Sequence, residues 1–492
     1  MLYDEVLGQA RRWPNRVAVV DAATGRSLTY GSMVDGARRF AGALRERGSR
    51  PGDVIGLVAF NRPEFAVAMY GASCAGLTLA PASPLLTARE LRAFLAQAGA
   101  RRAVADAESR AKVLEAGVEG VFALEELPAG EPVDPVARGG DALAVLFSTS
   151  GTTGLPKSAA HTHAGAVATL RQYAAGSLRG FRPDDVVTGI VPFPHMFGSV
   201  MLGSVLRVGA RMVSLARFEP EAFLRMLQEH RVTVAVVVPP IARLLATHPL
   251  IDRYDLSSLR FVFIGAAPCP ASLEEACAER LGCAVAQGLG MTEAAPLALP
   301  EEPVLHGSVG RLVPDTEALV VDPDSGAVLG PGRTGELWFR GPQVMRAYLD
   351  DAAATAATID ADGWLHSGDL GHFDADGNLF LVDRLKELIK SRGYQVAPAQ
   401  LEAELCAHPA VADAAVVGRP DEEAGEGPVA YVVLRSGVAE GELAAWVAER
   451  VAPYKRLADV VVVDEIPRSP TGKLLRRVLV EREREVVGAS RG

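Results

Sequence analysis

Short apolar runs alternate along this chain with longer segments whose apolar positions recur at helical spacing, almost from end to end. Residues 16–21, 54–59, 142–147 and 259–264 are short, apolar and bounded by turn formers, so they are expected as strands. Residues 32–46, entered through Tyr30-Gly31-Ser32, and residues 63–75 and 271–281 carry the helical period. Strands alternating with helices predict an α/β architecture. The run 259–264 feeds Gly265-Ala-Ala-Pro-Cys-Pro270 and then a helix. A glycine-bearing corner at the carboxyl end of a strand is where α/β sheets bind ligands.

A change of organisation falls near Asp383-Arg384-Leu385-Lys386. Ahead of it, Asp374-Ala-Asp-Gly-Asn378 is a turn signal leading into a strand at 379–382. Beyond it lie a helix at 398–408, strands at 414–417 and 430–434, a helix at 440–451 and a strand at 460–463. These suffice for a small α+β domain. With 492 residues the chain exceeds one hydrophobic core. The expected division is a large N-terminal domain of several subdomains over 1–383, its sheets flanked by helices, and a smaller C-terminal domain over 384–492. No fixed-period repeat and no low-complexity tract interrupts it.

Composition narrows the setting. Apolar residues make up 49% and charged ones 22%, the balance of a globular enzyme, and the net charge is −10. A negative chain without a basic stripe argues against binding to nucleic acid or an anionic membrane. Five cysteines with no paired C-x-x-C spacing disfavour a disulfide scaffold or structural zinc and point to a reducing cytoplasm. The opening Met-Leu-Tyr-Asp-Glu-Val has acids where a signal peptide has cations. The most apolar stretch, 232–246, is broken by Pro239-Pro240 and Arg243, so no membrane span is expected.

The chemistry concentrates in Ser148-Thr-Ser-Gly-Thr-Thr-Gly-Leu-Pro-Lys157, directly after the strand at 142–147. Gly151 and Gly154 let the backbone approach a ligand closely. Ser148, Thr149, Thr152 and Thr153 supply hydroxyl donors, freed backbone N–H groups add more, and Lys157 adds a full charge. A plain Ser/Thr/Gly linker needs neither an apolar strand before it nor a Pro-Lys close. The spacing is not that of the Walker loop, which has four residues between its glycines.

Five more segments follow in order: Pro192-Phe-Pro-His-Met-Phe-Gly198, Gly288-Leu-Gly-Met-Thr-Glu293, Ser367-Gly-Asp-Leu-Gly371, Asp383-Arg-Leu-Lys-Glu-Leu-Ile-Lys-Ser-Arg-Gly-Tyr-Gln-Val396 and Pro467-Arg-Ser-Pro-Thr-Gly-Lys473. With the phosphate loop they resemble the adenylate-forming superfamily of acyl-CoA synthetases, stand-alone adenylation enzymes and firefly-type luciferases, over nearly the whole chain. Lys386-Glu-Leu-Ile-Lys390, Gln395-Val-Ala-Pro398 and Ala452-Pro-Tyr-Lys455 are most similar to coumarate–CoA ligases and related acyl- or aryl-CoA ligases.

The resemblance implies a carboxylic acid, ATP, Mg2+ and CoA as reactants, an acyl-AMP intermediate and a mobile C-terminal domain. It places the triphosphate on Ser148, Thr149, Ser150, Gly151, Thr152, Thr153, Gly154 and Lys157. The adenine lies by Gly265, Ala266, Ala267 and Pro268 and by Gly288, Leu289, Gly290 and Met291, and the ribose on Asp369 and Arg384. Thr292 meets the α-phosphate, and Glu293 is the magnesium carboxylate, hard oxygen for a hard cation. Lys473 brings a mobile charge to the reacting carboxylate and phosphate. His195, Phe197, Gly198, Met201, Ala266 and Gly290 line the acyl pocket, with His195 gating the thiol. Lys390, Arg392, Gly393 and Gln395 face CoA, and Lys386 is the hinge.

Taken singly, several of these residues read otherwise. Asp369 fits a turn aspartate, His195 between prolines and aromatics fits a core histidine, and Lys473 before Arg476 and Arg477 fits a solvated basic run. Two positions depart from the resembled pattern. Leu289 stands where an aromatic ring is usual, and Ser158 follows Lys157 where glycine is usual, adding a Cβ and a hydroxyl beside the phosphates. Both bear on adenylation rather than thioester formation. The alternatives are therefore a ligase impaired in adenylation, a stand-alone adenylation enzyme loading a carrier protein, and a non-catalytic nucleotide-binding regulator. The pocket residues favour an apolar, medium-to-bulky acid, aromatic and polycyclic ones included. No acidic residue in 192–198 meets a substrate ammonium.

Overall fold

The computed structural model describes residues 1–149, 157–176, 180–391, 394–421, 425–438, 440–469 and 472–489. Two compact units emerge, one from residues 1–317 with 340–365, the other from 318–339 with 366–492. No described helix is long and apolar enough to cross a membrane. In the apolar stretch 232–246 the structure has strand Val234–Val237 and then helix Pro239–Thr247, whose prolines occupy its first turn, where a missing N–H leaves no hydrogen bond unmade.

The first unit holds two seven-stranded sheets. One has the order Ala284–Gln287, Phe261–Ile264, Val234–Val237, Val186–Gly189, Arg211–Ser214, Val17–Asp21 and Ser27–Thr29, all parallel except the last pair. The other runs Ala347–Tyr348, Lys157–Thr162, Leu143–Thr149, Thr78–Ala82, Val54–Val58, Arg102–Ala105 and Gly120–Ala123, its first two pairings antiparallel and the rest parallel. A three-stranded antiparallel piece, Leu289–Met291, Ala294–Leu299 and Ser308–Leu312, completes the unit.

Helix Tyr30–Glu46 starts where Thr29 and Ser32 cap each other, each side chain accepting the other's backbone N–H. Helix Pro63–Cys74 beside it is buried all round rather than on one stripe, the pattern of a central helix. A Cβ on Gly71 would lie 2.8 Å from Phe40 and 2.9 Å from the Ala37 carbonyl, so glycine alone allows the two helices this approach. Tyr30, Phe40, Phe65, Tyr70 and Phe193 fill the largest core at full burial.

In the second unit, strand Leu365–Phe373 pairs antiparallel with Leu379–Arg384, and Asp369 falls opposite Arg384. The reversal is made by Asp374, whose carboxylate accepts the backbone N–H groups of Asp376 and Asn378 and the Asn378 amide. A further sheet orders Tyr394–Val396, Ile389–Ser391, Gly425–Leu434 and Val411–Asp421, with Asp459–Val462 parallel to Gly425–Leu434. Helix Arg476–Ala489 packs on this sheet.

Arg476 is the buried electrostatic centre of the unit. It donates to Glu387 at 2.6 Å, to Glu402 through both terminal nitrogens, and to the Val416 carbonyl at 2.9 Å. Burial alone would pull its pKa down, but Glu402, Glu387 and Asp383 together hold it above the ordinary arginine range. Changing Arg476→Met strands two carboxylates with no cation. Both keep some exposure, 28% and 18%, so the loss expected is about 3 kcal/mol, the low end for a broken buried pair. A urea midpoint unmoved by this change would show that the network contributes nothing.

Candidate functional site

The residues expected at the nucleotide sit on strand ends and tight turns. In the first unit, Leu143–Thr149 and Lys157–Thr162 are paired antiparallel strands, with Thr149 opposite Lys157 and Ser148 opposite Ser158. Ser150, Gly151, Thr152, Thr153 and Gly154 lie outside the described residues. Ser158 is fully buried, and its hydroxyl donates to Gln97 at 3.0 Å instead of facing a ligand. The Gln97 amide in turn donates to the Leu349 carbonyl.

Thr292 and Glu293 form the two-residue turn between Leu289–Met291 and Ala294–Leu299, a length that holds residues at a fixed angle to the strands. Three contacts from outside the hairpin fix it. The His161 Nε2–H donates to the Thr292 carbonyl at 2.8 Å. The Met345 N–H donates to the Glu293 carbonyl at 2.7 Å. The Tyr348 hydroxyl donates to Glu293 Oε1 at 2.5 Å. Tyr348 is 8% exposed, and burial, with Glu293 beside it, pushes its phenol above the ordinary range, keeping it a donor. Lys157 Nζ stands 5.0 Å from the centre of the Tyr348 ring and 4.0 Å from the Asp351 carboxylate.

Gly265 follows strand Phe261–Ile264, and a Cβ there would meet the Phe197 ring at 2.7 Å. Ala266 holds φ of 70°, the left-handed region, and is exposed; a non-glycine residue there marks strain the fold maintains. Buried Gln287 pins this turn, its amide accepting from the Cys269 N–H and donating to the Cys269 carbonyl. Ala267 and Pro268 lie on the same turn. Gly288 donates its N–H to Ile264, bringing Gly288-Leu289-Gly290-Met291 alongside it. Leu289 is buried at 8% exposure, whereas Gly290 is exposed.

His195 caps helix Met196–Val208 by position and is half-buried; burial pulls its pKa down, which favours the neutral ring. Its loop is set by buried Asn61, which donates to the Gly189 and Val191 carbonyls and accepts from the Phe193 N–H. Gly198 allows no side chain, since a Cβ would fall 2.0 Å from the Pro192 carbonyl oxygen. Phe197 meets Phe263 edge to face at 6.0 Å. Met201 and Phe263 line a small apolar cavity with Tyr173, Phe181, Phe261 and Leu299. Of the residues expected at the acyl pocket, Met201 alone lines that cavity.

In the second unit, Arg384 Nε is 3.0 Å from Asp369 Oδ1. Burial raises the Asp369 pKa, opposed by the charges of Arg384 and Lys473, so these three expected residues share one electrostatic neighbourhood. The Lys473 N–H donates to the Ser469 hydroxyl, and Arg468 anchors the same turn by donating to the Gly472 carbonyl and to Asp413. Lys386 lies in the one-turn helix Leu385–Glu387. Burial pushes the Asp383 carboxyl up to about 6, although it accepts the Ala399 and Arg384 N–H groups. Lys390 is exposed, and its strand pairs it with Gln395. Arg392 and Gly393 lie outside the described residues. Tyr394 stacks on Tyr454 at 4.2 Å.

His161, Tyr348, Gln97, Gln287 and Asn61 escape a reading of the sequence, because nothing local marks them. Each acts on a backbone or side chain at least 18 residues away. The nearest signal is the Asn-Arg-Pro start of the helix after Val54–Val58.

Comparison with known proteins follows the same lines. The family model for AMP-binding enzymes matches residues 7–349, and that for the AMP-binding enzyme C-terminal domain matches residues 400–473. The 4-coumarate–CoA ligase 5 of Oryza sativa subsp. japonica is 41% identical over 97% of this chain and 94% of its own length. The 4-coumarate–CoA ligase 3 of Arabidopsis thaliana is 39% identical over 94% and 88%. Among solved structures, a benzoate CoA ligase from Burkholderia xenovorans LB400 is 29% identical with a TM-score of 0.89, covering 97% of this chain and 99% of that one. The ATP-bound MatB of Rhodopseudomonas palustris is 28% identical with a TM-score of 0.91, covering 99% of each.

The clamp on the Thr292–Glu293 turn has a pH signature. Burial lowers the His161 pKa from 6.5 to about 4, only partly opposed by its bond to Thr292. Between those values the unfolded chain takes up a proton before the folded one does. Stability is therefore intact above pH 6.5 and falls as pH drops toward 4, by an order of 3 kcal/mol. In protein carrying 13C-labelled histidine, the His161 ring should titrate near pH 4. A midpoint at the ordinary 6.5 would contradict this clamp.

Proposed function

The chain belongs to the AMP-binding enzyme family, and on that premise we propose that it is an ATP-dependent acid–thiol ligase that joins an apolar carboxylic acid to CoA through an acyl-adenylate. The observation that carries this reading is a likeness to 4-coumarate–CoA ligases that extends over 94–97% of the chain.

In the first step a carboxylate oxygen attacks the α-phosphorus of ATP, and the bond to the β-phosphate oxygen breaks to release pyrophosphate. Both reactants are anions, so preorganised cations and donors dominate the barrier. Lys157 and the hydroxyls of 148–154 hold the β- and γ-phosphates. The Thr292 hydroxyl donates to the α-phosphate, and Lys473 places its ammonium against the reacting carboxylate and phosphate. Asp369, oriented by Arg384, accepts from the ribose hydroxyls. In the second step the CoA thiolate attacks the acyl carbonyl and AMP leaves, with Lys390, Arg392, Gly393 and Gln395 toward CoA. His195, half-buried and favoured as the neutral ring, stands between acyl group and thiol. The small domain of 384–492 turns about Lys386 between the steps, with a short hinge absorbing the φ/ψ change.

Mg2+ suits the residues present. No group of three metal-ligating side chains exists among the described residues, while Glu293 offers one carboxylate whose Oε1 alone is engaged, by Tyr348. That is the sparse protein contribution Mg2+ takes when nucleotide phosphates and water complete its shell. Bound there it would neutralise phosphate charge. The apolar lining of the small cavity beside Met201 supports an acid with an apolar body. Five free cysteines support action in a reducing cytoplasm.

A panel of carboxylic acids, assayed for pyrophosphate release with and without CoA, tests the reading. Aryl and bulky acyl acids should release pyrophosphate and yield a CoA thioester by mass spectrometry. Release followed by transfer only to a holo carrier protein would establish the carrier-loading alternative. Thioester formation from supplied acyl-AMP with negligible use of ATP would establish a ligase impaired in adenylation, for which Leu289 is the cause to examine.

Lys473→Ala should slow acyl-AMP formation by about 10²–10³-fold, the scale of one lost transition-state donor. Thioester formation from supplied acyl-AMP should fall far less. Single-turnover measurements of each half-reaction decide it, and equal losses would refute the role given to Lys473.

A further inference from the structure

We infer that Tyr348 is a positioning residue for adenylation, one rigid ring that sets the metal-binding carboxylate Glu293 and the phosphate-binding cation Lys157 relative to each other. The inference rests on the roles given above to those two residues. Tyr348 lies 55 residues from Glu293 in sequence, yet its hydroxyl reaches Oε1 at 2.5 Å, a charge-assisted bond. The face of the same ring carries the Lys157 ammonium at 5.0 Å, within the range of a cation–π contact.

The ring itself cannot wander. It is 8% exposed and stands on the two-residue strand Ala347–Tyr348, which pairs with Lys157–Thr162 so that Tyr348 lies opposite Ala159. The Arg346 and Leu349 N–H groups, on either side, donate to the Ala160 and Ser158 carbonyls, and Thr355 accepts from the Tyr348 N–H. Glu293 is meanwhile fixed at its backbone by Met345 and, through Thr292, by His161. The carboxylate's remaining freedom is rotation of its own side chain, and the Tyr348 hydroxyl removes it. One oxygen is thereby committed to the protein, and the other is left for the cation. Losing a partner that orients a metal ligand in this way typically costs about 10–100-fold in metal affinity.

Tyr348→Phe keeps the ring, and with it the Lys157 contact, and deletes only the hydroxyl. The Mg2+ concentration for half-maximal ATP–pyrophosphate exchange should rise about tenfold, the lower end for loss of such a partner. Binding of Mn2+·ATP, followed by electron paramagnetic resonance, should weaken in parallel. Exchange at saturating metal and thioester formation from supplied acyl-AMP should each stay within about twofold. Glu293→Gln serves as the reference. If it shifts both metal constants and Tyr348→Phe shifts neither, Tyr348 only packs and the inference is overturned. If Glu293→Gln shifts neither, the metal role of Glu293 itself fails, and the inference falls with it. Equal losses in both half-reactions for Tyr348→Phe, with a lowered melting temperature, would reveal a structural role and overturn the inference as well.

Discussion

Strand Lys157–Thr162 fixes the geometry around the Thr292–Glu293 turn, because it is hydrogen-bonded on both edges. One edge pairs with Leu143–Thr149, which sets Lys157 opposite Thr149; the other pairs with Ala347–Tyr348. Alternate residues of a strand face opposite sides. Lys157, Ala159 and His161 share one side, and His161 reaches the Thr292 carbonyl. A slip of one residue in either pairing would turn every side chain to the other face. Lys157, the clamp on the Thr292–Glu293 turn and the Tyr348 partner of Glu293 thus depend on one register.

The polar groups in this region are buried, and that decides what they can do. A neutral His161, held below its usual range, can only donate one bond to a carbonyl and carries no charge into the site. Tyr348, pushed up, stays protonated and can only donate to Glu293. Asp369 is the opposite case, a carboxyl that burial pushes up and that the charges of Arg384 and Lys473 only partly bring back. Burial removes the competing protonation states, so each contact is made in one sense. The same principle organises the second unit around Arg476, which three acidic neighbours hold charged despite its burial.

Much of the scaffold was legible from pattern. The helix expected at 271–281 is Ala271–Leu281, and the strands expected at 16–21, 54–59 and 430–434 lie within a few residues of Val17–Asp21, Val54–Val58 and Gly425–Leu434. Boundaries moved where side chains intervened. Reciprocal capping by Thr29 and Ser32 starts the second helix at Tyr30 rather than at 32. Helix Arg476–Ala489 went unread, because Arg476 and Arg477 look alike in sequence as solvated charge. Successive helix positions point about 100° apart, so Arg476 enters a nest of carboxylates while Arg477 stays 70% exposed.

What the sequence determined by itself was the alternation of strands and helices, the order of the six motifs and the chemical types they supply. Those depend on neighbours within a few residues, where period and turn chemistry operate. Only the tertiary structure decided that Ser158 turns its hydroxyl to Gln97, that Leu289 is buried, and that Thr292–Glu293 forms a turn held from three directions. These arise from pairs such as His161 with Thr292, 131 residues apart, and Tyr348 with Glu293, 55 apart. Such contacts exist only once strand register has brought the partners together, and no local pattern in a single sequence records which distant strand a residue will lie beside.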